Sequence, residues 1–317
     1  MSEVTVSVII PVFNAAEYLI DTLNSVCNQT YQNIEVIIVD DGSTDASLEL
    51  AKRYDDDRFI IAKNKGKGAC AARNYGFELS TGDYIQYLDA DDLLSVDKIK
   101  KQVEILNEYE NDIIVSAVWG KFISSKTKVI WENHLLNKNF DPAYKWLSDS
   151  WKGNGVGQTA IWLTPRKLIE KAGPWNENLK INQDGEFFSR VLMNAKAVQF
   201  CEGAKVYYRS GNANSISQKN KFSKEKAESL LLSFQLYKSH AVSLGLLDKL
   251  KEGIAQNFLM FMYQFYNQFK DLVAIAESEF YSLGYKKMWP VGGEKFKKIS
   301  SVIGFKTALK TRDLLSK

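Results

Sequence analysis

Two clusters of carboxylates have the residue types and spacing for divalent-metal chemistry. Asp40 and Asp41 follow one apolar run of the chain, and Asp89, Asp91 and Asp92 follow another. Carboxylates that converge repel one another unless a cation or a hydrogen-bond donor lies between them. The spacing Asp89-x-Asp91 suits an oxygen-ligand site for Mg²⁺ or Mn²⁺ shared with phosphate groups. A lone Asp would more simply form a turn or cap a helix, but the repeated pattern favours a metal site.

The elements that must position these acids alternate along the first hundred residues. The strand-like apolar runs are 4–12, 34–39, 59–62 and 84–88, and the segments with helical spacing are 15–29, 45–54 and 69–79. Buried strands separated by helices predict an α/β fold with a mostly parallel central sheet flanked by helices. Ligands bind outside the C-terminal ends of the strands in such sheets. Both acidic clusters should therefore meet at one edge of the sheet.

A basic glycine-rich loop precedes the third helical segment. Residues 66–71 read Gly-Lys-Gly-Ala-Cys-Ala and match the dinucleotide-binding pattern G-x-G-x-x-A. That pattern belongs in the first strand-to-helix turn, but residues 11–14 of this chain contain no glycine. We therefore interpret the loop as a phosphate contact near a helix N-terminus, with Lys67 and Arg73 as its cations.

The composition excludes several other classes of protein. With 317 residues, 45% of them hydrophobic, and 41 basic against 38 acidic residues, the chain is typical of a globular protein of about two domains. The net charge of +3 gives no reason to expect a nucleic-acid partner. Three separated cysteines, two histidines and no GxSxG motif disfavour disulfide-framework, HExxH zinc and serine-hydrolase classes. We expect a cytoplasmic protein without a signal peptide or a membrane-spanning segment.

Four motifs are spaced over the first ninety residues, at 8–14, 39–45, 71–76 and 88–92. In order and separation they resemble the signatures of family 2 glycosyltransferases with the GT-A fold. The resemblance implies metal-dependent transfer of a sugar from a nucleotide-sugar donor to an acceptor hydroxyl, with inversion at the anomeric carbon. It further implies a hexosyl- or N-acetylhexosaminyltransferase of bacterial surface-polysaccharide synthesis, such as that of lipopolysaccharide, O-antigen or capsule, with Mn²⁺ or Mg²⁺ as cofactor.

The resemblance also implies a nucleotide-binding set and a metal ligand. The nucleotide-binding residues would be Pro11, Val12, Asp41, Arg73 and Asp89. Asp41 resembles the acid that accepts the imide N–H of uracil, which favours a UDP-sugar. Arg73 resembles a base or phosphate contact, and Asp89 resembles the first acid of the DxD motif, near the ribose. Asp91 resembles the acid that holds the metal, which neutralises the departing nucleotide diphosphate.

An acidic helix start in the second half resembles the part of the family that carries the catalytic base. Residues 171–177 lead to Gln183, Asp184 and Glu186. Inverting transfer needs a general base on the face opposite the leaving group. The resemblance assigns this role to Asp184, with Glu186 as the competing acid and Gln183 in place of an acid often found there. Helix N-capping is the alternative interpretation of Asp184.

A second basic position, Arg209, resembles part of the segment that ends the catalytic domain in this family. Many members carry a His shortly after this Arg, but this chain has Ser-Gly-Asn at 210–212. An additional protein ligand to the metal is therefore not expected. Arg209 and Lys67 are candidate diphosphate contacts, together with Asn212 or Asn214.

A glycine-rich segment, 153–158, follows Trp146 and Trp151. It is consistent with a mobile loop that contacts the acceptor, and equally with ordinary turns.

The domain organisation follows from these patterns. We predict a GT-A domain over 1–220, with a nucleotide-binding half at 1–95 and an acceptor half at 96–220, and a helical C-terminal region at 221–317. In that region Phe258, Phe261, Met262 and Phe265 repeat at helical spacing. Such an aromatic stripe indicates a core face rather than a cofactor site.

The end of the chain, residues 286–317, is strongly basic, with nine Lys or Arg against Glu294 and Asp313. Phe305, Ala308 and Leu309 share one face of its last helical segment. One hypothesis is peripheral contact with an anionic membrane, at the inner face of the cytoplasmic membrane, where a saccharide or lipid-linked saccharide acceptor would reside. A solvated charged end is the alternative.

Two other functions compete with glycosyl transfer. A sugar-1-phosphate nucleotidyltransferase would carry a GxGxR-type loop directly after the first strand, which this chain lacks. The other is a catalytically inactive nucleotide-sugar or polysaccharide-binding protein. The presence of Asp89, Asp91 and Asp184 disfavours it.

Overall fold

The computed structural model describes residues 4–54, 56–109, 111–123, 128–211 and 223–315. Its strands are β1 (Val6–Val12), β2 (Ile34–Asp40), β3 (Phe59–Lys63), β4 (Tyr84–Tyr87), β5 (Leu93–Leu94), β6 (Ile114–Phe122), β7 (Ile130–Trp131), β8 (Thr164–Pro165) and β9 (Val198–Arg209). Its α-helices are α1 (Leu19–Cys27), α2 (Ser47–Lys52), α3 (Ala69–Leu79), α4 (Lys98–Leu106), α5 (Tyr144–Asp149), α6 (Arg166–Ala172), α7 (Gln183–Asn194), α8 (Lys224–Ser243), α9 (Leu247–Phe265), α10 (Lys270–Ser282), α11 (Glu294–Ile303) and α12 (Phe305–Leu315).

The central sheet has five strands in the order β3-β2-β1-β4-β8. β1 pairs in parallel with β2 and β4, β2 pairs in parallel with β3, and the short β8 is antiparallel. The inner strands β1, β2 and β4 are almost entirely buried, as expected for apolar strands covered on both faces. The predicted mostly parallel sheet flanked by helices is therefore confirmed.

A second sheet has four strands in the order β5-β9-β6-β7. β6 and β9 run in parallel and end side by side, with Phe122 opposite Arg209. β5 begins directly after the second acidic cluster and pairs with the end of β9, with Leu93 opposite Tyr207. This pairing draws the acidic cluster and Arg209 toward the same edge of the molecule.

The helices of the first half match the sequence pattern more closely in position than in length. α3 has the predicted bounds, whereas α2 starts two residues later than expected. Asp45 explains the late start of α2: its carboxylate accepts hydrogen bonds from the backbone N–H groups of Ala16 and Ser47. A side chain that bonds nearby backbone groups in this way competes with helix formation.

The C-terminal region is helical, as predicted, and its aromatic stripe is core. Phe258, Phe261 and Phe265 of α9 are all buried. The proposed boundary near residue 220 lies outside the described residues. No helix of the described chain is both long and apolar enough to cross a bilayer.

The basic end of the chain exposes different apolar side chains from those that the sequence pattern predicts. Phe305, Ala308 and Leu309 share a face of α12, as predicted, but that face is buried in the molecule. The exposed apolar side chains of this region are Ile299, Val302 and Ile303 of α11 and, near the end of α12, Leu314. The hypothesis of a membrane-contacting face on α12 is therefore wrong in its residues.

Candidate active site

The C-terminal ends of β1 and β2 bring the first motif and the first acidic cluster together. Val12 is in register with Asp40, and the backbone N–H of Asp41 donates to the carbonyl of Val12 at 2.8 Å. Pro11 and Val12 thus border the first two acids at the sheet edge. The parallel pairing of the two strands produces this meeting, as the sequence predicts.

Asp41 ties the end of β2 to the basic glycine-rich loop. Its carboxylate accepts hydrogen bonds from the backbone N–H of Gly68 at 2.8 and 2.9 Å, and from Asn64 Nδ2 at 2.7 Å. Gly68 has φ 91°, which is strained for any residue with a side chain. Lys67, next to it, is exposed at the same loop. The acid therefore positions the loop while remaining half-buried at the sheet edge.

Arg73, near the start of α3, joins the second acidic cluster. Its Nη2 lies 2.7 Å from Asp89 Oδ1, and its guanidinium lies 4.5 Å from the centre of the Trp175 ring. Only 6% of Arg73 is exposed, and its Nε has no hydrogen-bond partner among the described residues. Buried polar atoms are almost always paired, so this unpaired donor suits an anionic ligand such as a phosphate.

Asp92 holds in place the loop of residues 89–92, which we call the acidic loop. It is fully buried and accepts hydrogen bonds from the backbone N–H of Arg209, at 2.9 Å, and from Gln158 Nε2. Burial raises the pKa of Asp92 well above its usual value, and the charges of Asp91 and Asp89 add to the effect. This mutual repulsion is the kind that a bound cation relieves.

Arg209 is held beside the acidic loop by several contacts. Its Nε donates to the carbonyl of Asp91 at 3.0 Å, and its Nη2 pairs with Asp21 at 3.2 Å. The guanidinium lies over the rings of Tyr18 and Phe122, 4.7 and 4.6 Å from their centres. A cation fixed in this way next to Asp91 is placed to contact a diphosphate.

The fit of a metal ion can be judged from the acids present. Asp89 is paired with Arg73, and Asp92 is enclosed by Arg209 and Gln158. Asp91 is half-buried between them, and the described residues contain no cluster of three or more His, Cys, Asp or Glu for a protein-only cage. Mg²⁺ and Mn²⁺ sites that share phosphate and water ligands need only one or two carboxylates. These carboxylates therefore fit a hard cation whose remaining oxygen ligands come from a diphosphate and water.

The two acids of α7 have opposite environments. Burial raises the pKa of Asp184, the nearby charge of Asp89 adds to this, and the Gly185 N–H and Arg73 oppose it. The pKa of Glu186 is instead held below its usual value. Burial alone would raise it, but hydrogen bonds from His240 and Arg190 outweigh the effect of burial. Arg73 and Asp89 thus act on Asp184 at the sheet edge, whereas Glu186 belongs to a separate buried ion pair.

The geometry distinguishes the competing interpretations of these acids. α7 begins at Gln183 with Asn182 as its N-cap, so the capping interpretation of Asp184 is wrong. Glu186 is 1% exposed and lies 2.8 Å from Arg190 and 3.0 Å from His240. Among the described residues no side chain donates a hydrogen bond to Asp184. Asp184 is therefore the acid left available for chemistry.

Several contributors to the site were missed by the sequence reasoning. Gln158, Trp175 and Asp21 all contact site residues. The hydrogen bond from Gln158 to Asp92 fixes one end of the glycine-rich segment, although its mobility stays a prediction. Each of these residues lies far along the chain from the residue it contacts, so local spacing carried no signal for it. Asn212 and Asn214 lie outside the described residues.

The chain is similar in sequence to known glycosyltransferases. The family model "Glycosyl transferase family 2" matches residues 7–169. The minor teichoic acid biosynthesis protein GgaB of Bacillus subtilis is 30% identical over 208 residues, which cover 64% of this chain and 23% of GgaB. The putative glycosyltransferase EpsH of the same organism is 29% identical over 257 residues, which cover 80% of this chain and 72% of EpsH. The chain thus spans less than a quarter of GgaB.

Solved structures share the fold. The crystal structure of S. aureus TarS 1-349 in complex with UDP-GlcNAc has a TM-score of 0.69 at 16% identity, covering 88% of this chain and 81% of that one. The mannosyltransferase PcManGT from Pyrobaculum calidifontis, in complex with GDP-Man and Mn2+, has a TM-score of 0.54 at 16% identity, covering all of this chain and 89% of that one. The family model covers more than half of the chain and shows that the chain belongs to glycosyl transferase family 2.

Proposed function

We propose that this chain is an inverting, metal-dependent glycosyltransferase that uses a UDP-sugar. The observation that carries the proposal is the convergence of the acidic loop, the buried Arg73 with its unpaired Nε, and Asp184 at one edge of the sheet. A donor nucleotide would lie along Pro11, Val12 and Asp41. Its ribose would approach Asp89.

The leaving group would be bound by cations of the chain together with a metal ion. Arg73, Arg209 and Lys67 are the candidate diphosphate contacts, and Asp91 would hold Mn²⁺ or Mg²⁺. When bound, such an ion supplies positive charge that stabilises the departing diphosphate. Guanidinium groups match diphosphate oxygens in geometry as well as charge.

Asp184 would act as the general base. As the acceptor oxygen attacks the anomeric carbon, its proton passes to the Asp184 carboxylate. The glycosidic bond forms on the face opposite the leaving group, while the bond from the anomeric carbon to the diphosphate oxygen breaks. The raised pKa of Asp184 suits a base, because it strengthens the affinity of the carboxylate for the transferred proton.

The substrate class is inferred from the relatives and from Asp41. GgaB is named for minor teichoic acid biosynthesis, and TarS was solved with UDP-GlcNAc. We infer a hexosyl- or N-acetylhexosaminyl donor and a saccharide or lipid-linked saccharide acceptor in bacterial surface-polysaccharide synthesis. We keep the division into a catalytic domain, 1–220, and a helical region, 221–317, as part of the proposal.

The basic end would contact the membrane that carries such an acceptor, at its cytoplasmic face. Ile299, Val302 and Ile303 of α11 are 50%, 83% and 42% exposed, and Lys295 and Lys298 are exposed on the same helix. Exposed apolar groups flanked by lysines match an anionic lipid surface, where each lysine contributes about 1 kcal/mol.

The catalytic proposal is tested by release of nucleoside diphosphate from a donor panel. The full chain would be incubated with UDP-glucose, UDP-galactose, UDP-N-acetylglucosamine or GDP-mannose, with Mn²⁺ or with a chelator. We expect a UDP-sugar to be turned over only with the metal, and Asp91→Asn to abolish turnover. Asp248→Asn, at an exposed position of α9, is the matched control. Thermal stabilisation by a donor without turnover would instead indicate a binding protein.

A further inference from the structure

Helix α8 of the C-terminal region contacts the chain on both sides of Asp184. We propose that α8 positions the proposed catalytic base by holding the loop that starts α7. The inference rests on the proposed function of Asp184. Its contacts come from one face of α8, at Ser229, Ser233, Tyr237 and His240. Residues spaced by three or four positions lie on one face of a helix.

The loop before α7 receives most of these contacts. Ser229 Oγ accepts hydrogen bonds from the backbone N–H groups of residues 180 and 181, at 2.8 and 3.3 Å. The Nδ2 of Asn182 donates to Ser233 Oγ at 2.8 Å and to the hydroxyl of Tyr237 at 2.7 Å. Because Ser233 and Tyr237 are buried, water cannot replace these bonds at low cost.

Asn182 sets the direction in which α7 begins. It has φ 57° and ψ 30°, the left-handed conformation, and its carbonyl accepts the N–H of Glu186 at 3.0 Å. Asparagine tolerates this conformation better than most residues, but at a cost. The two side-chain bonds to α8 hold Asn182 in this conformation, two residues before Asp184.

Gly185 shows how closely α8 approaches the base. A Cβ at this position would lie 2.2 Å from Asn182 Oδ1 and 2.7 Å from the Tyr237 hydroxyl oxygen. Both distances are too short for any side chain. The residue beside Asp184 is therefore a glycine at the point where the Asn182–Tyr237 pair crosses the start of α7.

The contacts of α8 continue past the base, to Glu186 and to Trp151. His240 Nε2 lies 3.0 Å from Glu186, on the far side of Asp184. The Tyr237 ring also stacks on Trp151, with 4.6 Å between ring centres. α8 thus contacts the chain before and after Asp184, as well as the turn that leads into the glycine-rich segment.

The central test removes the Asn182–Tyr237 bond while keeping the ring and the backbone conformation. Tyr237→Phe deletes the hydroxyl, and Asn182→Gly deletes the side chain but retains access to positive φ. The assay is nucleoside diphosphate release by the full chain, with the UDP-sugar of the panel that is turned over fastest. We expect kcat to fall about 10- to 100-fold in each variant, as for a misplaced catalytic group. The donor KM should stay within about twofold.

A double-variant cycle separates positioning from general destabilisation. Since Asn182→Gly already removes the bond, adding Tyr237→Phe should lower kcat no further. Tyr281→Phe, at an exposed tyrosine of α10, is the matched control and should behave as wild type. The inference would be overturned if the fold-losses in kcat of the two single variants multiplied in the double variant. A rise in donor KM with unchanged kcat would also overturn it.

Asp184→Asn distinguishes the inference from the function on which it rests. If Asp184→Asn is inactive while Tyr237→Phe and Asn182→Gly keep wild-type kcat, the inference fails and the proposed function stands. If Asp184→Asn keeps wild-type kcat, the base assignment fails and the inference fails with it.

Discussion

Asp184 and Glu186 lie two positions apart on α7, and their surroundings shift their pKa values in opposite directions. Burial has the largest effect on the pKa of Asp184 and raises it, whereas hydrogen bonds donated by Arg190 and His240 lower the pKa of Glu186. Pairs of acids separated in this way mark a division of roles between chemistry and structure. The sequence could place both acids on one helix start but could not separate them, because His240 and the acids are more than fifty residues apart.

The pH dependence of turnover should report Asp184. Because a base acts when deprotonated, kcat should rise as pH increases through the pKa of Asp184, which burial raises above its usual value. Arg73→Gln removes a positive charge that lowers this pKa, so the acid limb should move to higher pH. The measurement is kcat at saturating donor from about pH 4 to about pH 8. An acid limb that stays in place, or moves to lower pH, would contradict the assignment.

At the scale of elements, the acidic ends of β2 and β4 and the bounds of α3 could be predicted because local patterns determine them. The partners that fix the site could not. Gln158 lies 66 residues from Asp92, and Trp175 lies about a hundred residues from Arg73. Tertiary packing alone creates such contacts. The late start of α2 likewise depends on a hydrogen bond from Ala16 to Asp45, across two elements.

The buried Glu186–Arg190 pair should stabilise α7. Arg190→Met leaves the Glu186 carboxylate buried with His240 as its remaining partner, so the free energy of unfolding should fall by about 3–5 kcal/mol. Urea unfolding at neutral pH measures this, with Lys196→Met, which disrupts an exposed pair, as the control.

The same pair predicts how stability depends on pH. The pKa of Glu186 is lowered in the folded state, so its contribution is present above the usual Glu pKa of about 4.3 and is lost as pH falls through the folded value. The difference in the free energy of unfolding between wild type and Arg190→Met should therefore become smaller at acidic pH. A difference in unfolding free energy that stays constant or grows at acidic pH would show that the pair does not act through charge.

For the whole molecule, the helical region and its aromatic core could be predicted from periodicity, but the orientation of its last helices could not. Phe305, Ala308 and Leu309 have the pattern of an amphipathic face, and a pattern does not reveal whether lipid or protein covers that face. Here protein covers it: Phe305 packs against Phe296, with ring centres 5.8 Å apart. Arg312 stacks on Tyr263 of α9.

Membrane contact through α11 is testable by vesicle flotation. We expect the full chain to float with vesicles of about 30% phosphatidylglycerol and to be released by high salt. A triple variant, Ile299→Ser, Val302→Ser and Lys298→Glu, should float at least about fivefold less. Leu135→Ser, which changes an exposed apolar residue elsewhere, is the control. Equal flotation of the triple variant and wild type would rule out α11 as the contact.

The central claim, that Asp184 is the base of a glycosyl transfer at this edge, is tested most directly by turnover of Asp184→Asn beside Glu186→Gln. The near-isosteric Asp184→Asn should lower kcat about 10²- to 10⁴-fold. It should keep the thermal stabilisation given by UDP and Mn²⁺, because the nucleotide contacts lie on other elements. Glu186→Gln should lose stability but retain most of its kcat. Near-normal turnover by Asp184→Asn, with turnover abolished in a folded Glu186→Gln, would contradict the account.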